Sequence, residues 1–172
     1  MRTYKIESNN IIIDWGCGLG KLLNDIYIIY KYNCIGFNIS EKQINLARQL
    51  YKNINFTVTS GDTTNLKENS INIVVSQEAI THSPNKNKLF SEFHKILKIN
   101  GLLIFQDWFE IDNNLSIIAN QLYKSNVEPL KNYIKILNNI GFRNIQIHKP
   151  IDSKDYGSSD IGCESFIISC IK

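Results

Sequence analysis

The sequence predicts an α/β protein whose doubly wound, mainly parallel seven-stranded sheet ends in an antiparallel C-terminal hairpin. Short apolar runs alternate with segments of helical periodicity, which is typical of strands joined by helices. The runs are apolar almost throughout, as in "INIVV" at 71–75, which indicates strands buried on both faces. The last two strand patterns have no helical pattern between them, so we expect them to pair antiparallel.

The strand patterns are short and are closed by Gly, Asn, Asp or other polar residues. They cover 11–14, 33–38, 54–62, 71–76, 102–108, 142–149 and 165–171. A long polar loop rich in Ser, Asp and Gly joins the last two. We expect the first five to run parallel, so that their carboxyl ends lie at one edge of the sheet, where ligands bind in such folds.

The helical patterns have apolar residues at spacings of three and four. They cover about 21–32, a stretch opened by Ser40, and then about 85–98, 115–124 and 129–139. Ser40 and Gln43 form a capping-box pattern, in which the Ser hydroxyl accepts from the Gln43 amide and the Gln side chain returns to the Ser40 amide. We expect Asn100-Gly101 to end the third helix.

Length and composition favour one globular domain, 1–172. The net charge of +3 is too small to indicate nucleic-acid binding. The cysteines form no C-x-x-C pair or zinc spacing, so no metal is expected. The first ten residues lack the apolar core of a signal peptide, and the apolar runs are too short for a bilayer. We therefore expect a cytoplasmic protein without membrane contact.

The first strand pattern is closed by a glycine-rich turn, "DWGCGLG". Gly16, Gly18 and Gly20 let the backbone turn tightly and let a ligand approach the main chain. A dinucleotide site prefers G-x-G-x-x-G, and a phosphate-binding P-loop needs Gly-Lys-Ser/Thr, whereas Leu22 follows Lys21 here. Asp14 would repel a pyrophosphate and attract an ammonium or sulfonium group.

At these residues the chain resembles the class I S-adenosylmethionine-dependent methyltransferases of the methyltransferase type 11-like group. "IIIDWGCGLG" is similar to their first motif. "GFN", "SGDTTNL", "INIVVSQEAITHS" and "ILKINGLLIF" follow in the family's order, so that the resemblance covers nearly all of 1–172. It implies a Rossmann-like methyltransferase fold, an enzyme that uses S-adenosylmethionine, and S-adenosylhomocysteine as the product.

The resemblance also implies a set of cofactor-binding residues. They are Asp14, Gly16, Cys17, Gly18, Gly20, Asn38, Ile39, Gly61, Asp62, Thr63, Ser76 and Gln77. Asp14 would face the amino group of the cofactor, and Asp62 would accept from the adenine amino group. Asn38 stands where the family usually has an acidic residue that binds both ribose hydroxyls, so we expect weaker cofactor binding.

The stretch "SQEAITHS" resembles the small-amine N-methyltransferases that act on sarcosine, dimethylglycine and phosphoethanolamine. It implies that His82 removes a proton from the acceptor and that Glu78 holds a cationic amine. Two structural alternatives stay open: His82 faces water or caps a helix, and Glu78 is a solvated loop charge. Trp108 and Phe109 either close over a methylammonium group or pack at the edge of the sheet.

Two functions are therefore considered. The first is methyl transfer to a small-molecule nucleophile, an amine above all. The alternative is a methyltransferase-like cofactor-binding protein with little activity alone that needs a partner subunit, because only about ten residues precede the first strand and leave a very short N-terminal lid region. A homodimer is one candidate assembly. A nicotinamide dehydrogenase is disfavoured by the glycine spacing and by Asn38.

Overall fold

The computed structural model describes residues 10–59, 62–149 and 163–172. The strands are β1 (Ile11–Trp15), β2 (Asn33–Asn38), β3 (Asn55–Val58), β4 (Ile71–Gln77), β5 (Leu97–Glu110), β6 (Arg143–His148) and β7 (Cys163–Ile171). The helices are α1 (Lys21–Tyr30), α2 (Glu41–Leu50), α3 (Lys86–Ile96), α4 (Asn113–Tyr123) and α5 (Leu130–Ile140), with a 3₁₀ turn at Ile80–His82. The strands form one seven-stranded sheet in the order β3-β2-β1-β4-β5-β7-β6, which confirms the predicted fold class.

The strand order reverses at β1. This strand pairs in parallel with β2 on one side and with β4 on the other, so that Asp14 lies opposite both Gly36 and Val75. The chain therefore winds away from β1 in both directions, and the carboxyl ends of β1, β2 and β4 lie side by side. This switch point is where a doubly wound sheet leaves a crevice for a ligand.

The C-terminal strands pair antiparallel, as the missing helical pattern predicted. Glu110 at the end of β5 lies opposite Cys163 at the start of β7, and β7 pairs in turn with β6. Among the described helices, none is long and apolar enough to cross a membrane.

The sheet is covered on both faces, and each face has its own apolar core. One core is centred on Phe90, Phe93, Phe105 and Tyr133, which are fully buried between β4, β5, α3 and α5. The other packs α1 and α2 on β1 to β3 and includes Leu23, Ile44, Ala47 and Phe56. Burial of these side chains provides the main driving force for the fold.

The third helix ends earlier than predicted. Helix α3 stops at Ile96, and β5 begins at Leu97, so Asn100-Gly101 lies inside a strand and does not end a helix. Leu97 is fully buried and pairs with Ile71, and a bulge lies between this pair and the next one. Burial of Leu97 and pairing with β4 outweigh the local stop signal.

Strand β3 is also shorter than the predicted 54–62, because it ends at Val58. The first half of the predicted capping box is confirmed, since Ser40 Oγ accepts a hydrogen bond of 3.3 Å from the Gln43 amide. The second half is wrong. Gln43 Oε1 instead accepts a hydrogen bond of 2.6 Å from Nδ2 of Asn38, the last residue of β2.

Candidate active site

A cleft with two adjoining compartments lies at the carboxyl ends of β1, β2 and β4. The larger compartment, of about 460 Å³, holds seven of the predicted site residues: Gly16, Gly18, Asn38, Ile39, Asp62, Glu78 and His82. The smaller compartment, of about 270 Å³, is lined by Asp14, Gly16, Cys17, Gly18, Gln77 and Glu78 among others. The fold thus gathers most of the predicted residues, which come from four loops of the chain, at one place.

The glycine-rich turn after β1 forms the wall between the compartments. Gly16 has a φ of +80°, and a Cβ added to it would lie 2.2 Å from the Cβ of Ala79. Gly18 has a φ of +53°, and no atom of the described residues lies within 4 Å of where its Cβ would be. Packing against Ala79 therefore requires a residue without a side chain at position 16, whereas Gly18 leaves open space that a ligand can use.

Asp14 is the buried acid of the smaller compartment. Its side chain is 2% exposed, and its Oδ1 has no hydrogen-bond partner among the described residues. Burial raises the pKa of Asp14 to about 7 because the carboxylate loses its hydration. An unpartnered buried carboxyl group with this pKa is suited to receive a cationic ligand, which would supply the missing hydrogen bond.

Asn38 and Ile39 form the rim of the larger compartment at the end of β2. Asn38 Oδ1 accepts from the amide of Ile39 over 3.0 Å, which fixes the orientation of the Asn side chain. Its Nδ2 donates to Gln43, which also lines this compartment and which sequence reasoning missed as a site residue. The rim therefore offers uncharged hydrogen-bonding groups where an acidic side chain would offer a charged acceptor.

Asp62 lies on the opposite side of the larger compartment and is 9% exposed. Its Oδ1 accepts a hydrogen bond of 3.0 Å from Ser83 Oγ. The loop that carries Asp62 is held on α3 by Glu92, whose Oε1 accepts from the amide and the hydroxyl of Thr64 over 2.9 and 2.7 Å. These side-chain contacts fix the Asp62 loop, which has no regular secondary structure between 62 and 67.

Glu78 and His82 line the larger compartment from the segment that follows β4. Glu78 has a φ of +52°, and its amide donates to the carbonyl of Gln106 over 2.8 Å. His82 is exposed at the end of the 3₁₀ turn, with its Nδ1 3.4 Å from the carbonyl oxygen of Lys124. Because both side chains line the cleft and meet solvent, either can reach a ligand bound there.

The turn that carries His82 is fixed by Asp107. Asp107 is fully buried at the end of β5, and its Oδ2 accepts from the amide of Thr81 over 3.0 Å. Burial raises the pKa of Asp107 to about 6. The one sequence signal for this role is an acidic residue in a mostly apolar strand pattern, 102–108.

Several predicted residues have structural roles or lie elsewhere. Ser76 is buried and donates to the carbonyl of Trp15 over 2.8 Å, and it lines neither compartment. Gly20 begins α1 with a φ of +83°, where a Cβ would lie 2.5 Å from the ring of Phe56. Thr63 is exposed and lines neither compartment. Gly61 lies outside the described residues.

Cys17 lines the smaller compartment, but burial raises the pKa of its thiol to about 12, so it is not a nucleophile at neutral pH. Phe109 is fully buried against Tyr133 in the core, with ring centroids 4.7 Å apart. Trp108 packs against Val127 and Cys163. Of the two alternatives for this aromatic pair, the packing role is therefore the one observed.

The family model described as "Methyltransferase domain" matches residues 6–156. The sterol 24-C-methyltransferase of Saccharomyces cerevisiae is 29% identical over 113 residues, which are 62% of this chain and 30% of that protein. Phosphoethanolamine N-methyltransferase 1 of Arabidopsis thaliana is 25% identical over 143 residues, covering 78% of this chain and 29% of that protein. The chain thus spans about 30% of the length of these curated relatives.

Solved structures show the same fold. Phosphoethanolamine N-methyltransferase 2 of Haemonchus contortus, in complex with S-adenosyl-L-methionine, superposes with a TM-score of 0.85 at 13% identity, over 98% of this chain and 50% of that one. The match to the family model covers most of the chain and agrees with the motifs read from the sequence. The chain therefore belongs to the methyltransferase domain family.

Proposed function

We propose that this protein binds S-adenosylmethionine in the two-compartment cleft and transfers its methyl group to a small nucleophile, with an amine as the favoured acceptor. The observation that carries the proposal is the buried Asp14 carboxyl group, which has an unpartnered oxygen beside the glycine-rich turn. A ligand with an ammonium group would satisfy that oxygen. The family membership, and a structural neighbour solved in complex with S-adenosyl-L-methionine, support the choice of cofactor.

In this proposal the two compartments divide the cofactor. The amino acid part occupies the smaller compartment, with its ammonium group at Asp14 and its chain against Gly18. The adenosine part occupies the larger compartment, with the ribose at Asn38 and the adenine amino group at Asp62. The residues present fit such a ligand, because Asp14 would face its ammonium group, and Asn38 and Asp62 would offer hydrogen-bonding groups to its adenosine part. The open space at Gly18 would admit a part of the ligand that runs close to the backbone.

When bound, the cofactor supplies a methyl carbon that its sulfonium group activates for displacement. The chain has to align the acceptor and remove its proton, because a protonated amine has no lone pair to attack with. We assign the proton removal to His82, whose imidazole is suited to this role near neutral pH. The Lys124 carbonyl near Nδ1 favours a proton on that nitrogen and leaves Nε2 as the base.

The choice of an amine depends on Glu78 and on the resemblance of "SQEAITHS" to amine methyltransferases. The relatives differ in their acceptors: one is named as a phosphoethanolamine N-methyltransferase and another as a sterol C-methyltransferase. A carboxylate next to a general base favours a cationic amine over a neutral carbon nucleophile. Glu78 and His82 are therefore the proposed catalytic residues.

A second function has one observation in its favour. Glu78 and His82 are exposed, so the acceptor side of the cleft is open to water. A cofactor-binding protein that needs a partner subunit, or a second copy of itself, to cover the acceptor would have this form. In that case the isolated chain binds the cofactor and transfers methyl groups slowly.

The test has two stages. Calorimetry with S-adenosylmethionine measures binding, and absence of binding at millimolar cofactor would refute both functions. A release assay for S-adenosylhomocysteine then compares glycine, sarcosine, dimethylglycine and phosphoethanolamine with common phenols. Turnover with an amine alone supports the first function. Binding without turnover on any acceptor supports the second, and turnover with phenols alone contradicts the choice of an amine.

A further inference from the structure

Glu78 occupies the boundary between the two compartments of the cleft. Three residues line both compartments: Gly16, Gly18 and Glu78. The two glycines contribute only backbone, so the carboxylate of Glu78 is the one charged side chain that these shared residues bring to the boundary. Within the described chain, every other charged group of the cleft lines one compartment alone.

The covalent structure of the cofactor places its sulfur at the same boundary. This step depends on the proposed function, which puts the amino acid part beside Asp14 and the adenosine part beside Asn38 and Asp62. The sulfur is bonded to both parts and must therefore lie where the compartments meet. The order of chemical groups in the ligand thus matches the order of residues along the cleft.

We infer that Glu78 recognises the positive charge of the sulfonium group, so that the site prefers the charged methyl donor to the neutral product. The backbone holds Glu78 for this role. Its left-handed conformation is uncommon for a residue with a side chain, and the hydrogen bond of 2.8 Å from its amide to Gln106 maintains it at the end of β4.

The other charged groups near the boundary do not replace Glu78. Lys21 lines the smaller compartment, but its ammonium group donates to Asp25 over 2.7 Å. Asp14 lies on the amino acid side and, with a pKa of about 7, is only partly ionised at neutral pH. His82 lies on the adenosine side and does not line the smaller compartment. Glu78 therefore supplies the negative charge at the boundary.

Methyl transfer removes the attraction between Glu78 and the sulfonium group. The bond between the methyl carbon and sulfur breaks, its electron pair stays on sulfur, and a new bond forms between the carbon and the acceptor. The sulfonium cation thereby becomes a neutral thioether, which Glu78 no longer attracts. Because Glu78 is exposed, we expect the donor to bind about fivefold more tightly than the product on this account, and not more.

The experiment compares three ligands by calorimetry. S-adenosylmethionine carries the sulfonium charge, sinefungin carries an amine at the same place, and S-adenosylhomocysteine is neutral. Glu78→Gln removes the charge and keeps the size of the side chain. Glu68→Gln is the control, because Glu68 is exposed just before β4, at the end of the sheet opposite the cleft.

We expect Glu78→Gln to weaken binding of both charged ligands about fivefold, to leave S-adenosylhomocysteine within about twofold, and to leave Glu68→Gln like the wild type. A Glu78→Gln protein that keeps the wild-type ratio of affinities among the three ligands overturns the inference, even if all three bind more weakly. If the wild type binds none of the three ligands, the proposed function itself fails. If the wild type binds the ligands and Glu78→Gln changes none of their affinities, the inference about Glu78 is refuted and the proposed function stands.

Discussion

Ser83 donates a hydrogen bond from Oγ to Oδ1 of Asp62 over 3.0 Å, and both side chains are buried at the rim of the cleft. Ser83 follows His82 directly and also closes the 3₁₀ turn through its amide, which donates to the carbonyl of Ile80. The proposed adenine-binding acid is therefore bonded to the segment that carries the proposed base. The contact links the cofactor side of the cleft to its acceptor side.

Asp62→Ala should weaken S-adenosylhomocysteine binding more than about tenfold, because a hydrogen bond to a charged group is lost. Ser83→Ala should weaken it about threefold to fivefold, since Asp62 stays but loses the partner that orients it. Ser70→Ala is a matched control, because the Ser70 hydroxyl donates to the carbonyl of Lys67, away from the cleft. Calorimetry measures all three variants. Equal affinity of Asp62→Ala and the wild type would mean that the adenine does not lie at Asp62.

Gly16→Ala and Gly18→Ala should separate folding from binding. A Cβ on Gly16 would overlap Ala79, so we expect Gly16→Ala to lower the free energy of unfolding by about 2–4 kcal/mol. Gly18→Ala should cost about 1 kcal/mol, since its Cβ meets open space. The same Cβ would occupy the ligand's space and should reduce cofactor affinity strongly.

Thermal unfolding and calorimetry test this pair of glycines. A Gly18→Ala protein that folds and binds the cofactor like the wild type would contradict the proposed position of the ligand beside this turn.

The affinity for S-adenosylmethionine should depend on pH through Asp14. Its pKa of about 7 means that the carboxyl group is neutral below this pH and ionised above it, and only the ionised form attracts the cofactor's ammonium group. We expect affinity to fall about tenfold between pH 8 and pH 6. Asp14→Asn should bind weakly at both pH values and lose this dependence.

Adenosine is the control ligand for Asp14, because it lacks the amino acid part and should bind equally well at both pH values. Calorimetry at a series of pH values gives the profile. If the Asp14→Asn protein shows the same dependence as the wild type, another group is titrating.

His82→Gln should reduce turnover on an accepted amine by about 100-fold or more, because general-base catalysis of this kind contributes that much. Cofactor affinity should stay within about twofold of the wild type. His148→Gln, on the exposed edge strand β6, serves as the control. Turnover is measured by release of S-adenosylhomocysteine. If His82→Gln retains wild-type turnover, His82 is a surface residue and the base lies elsewhere.

The strands and the glycine turn could be predicted from the sequence because local signals dominate there. The bounds of β2, 33–38, agree with the structure residue for residue, since an apolar run between polar residues has few alternatives. The helix end at Asn100-Gly101 was predicted wrongly for the opposite reason. A local stop signal competes there with the burial of Leu97 and its pairing with Ile71, and neither is visible in the local sequence.

The sequence by itself determined the fold class, the family and most of the residues that meet in the cleft, because these follow from the order of motifs and from the rule that strand ends converge. Only the tertiary structure decided which contacts each residue makes. Ser76 and Gly20 became packing residues, while Ser83 and Gln43 emerged as partners of Asp62 and Asn38. The reason is physical: burial and most of these hydrogen bonds depend on groups that are distant in the chain, and only the folded chain brings them together.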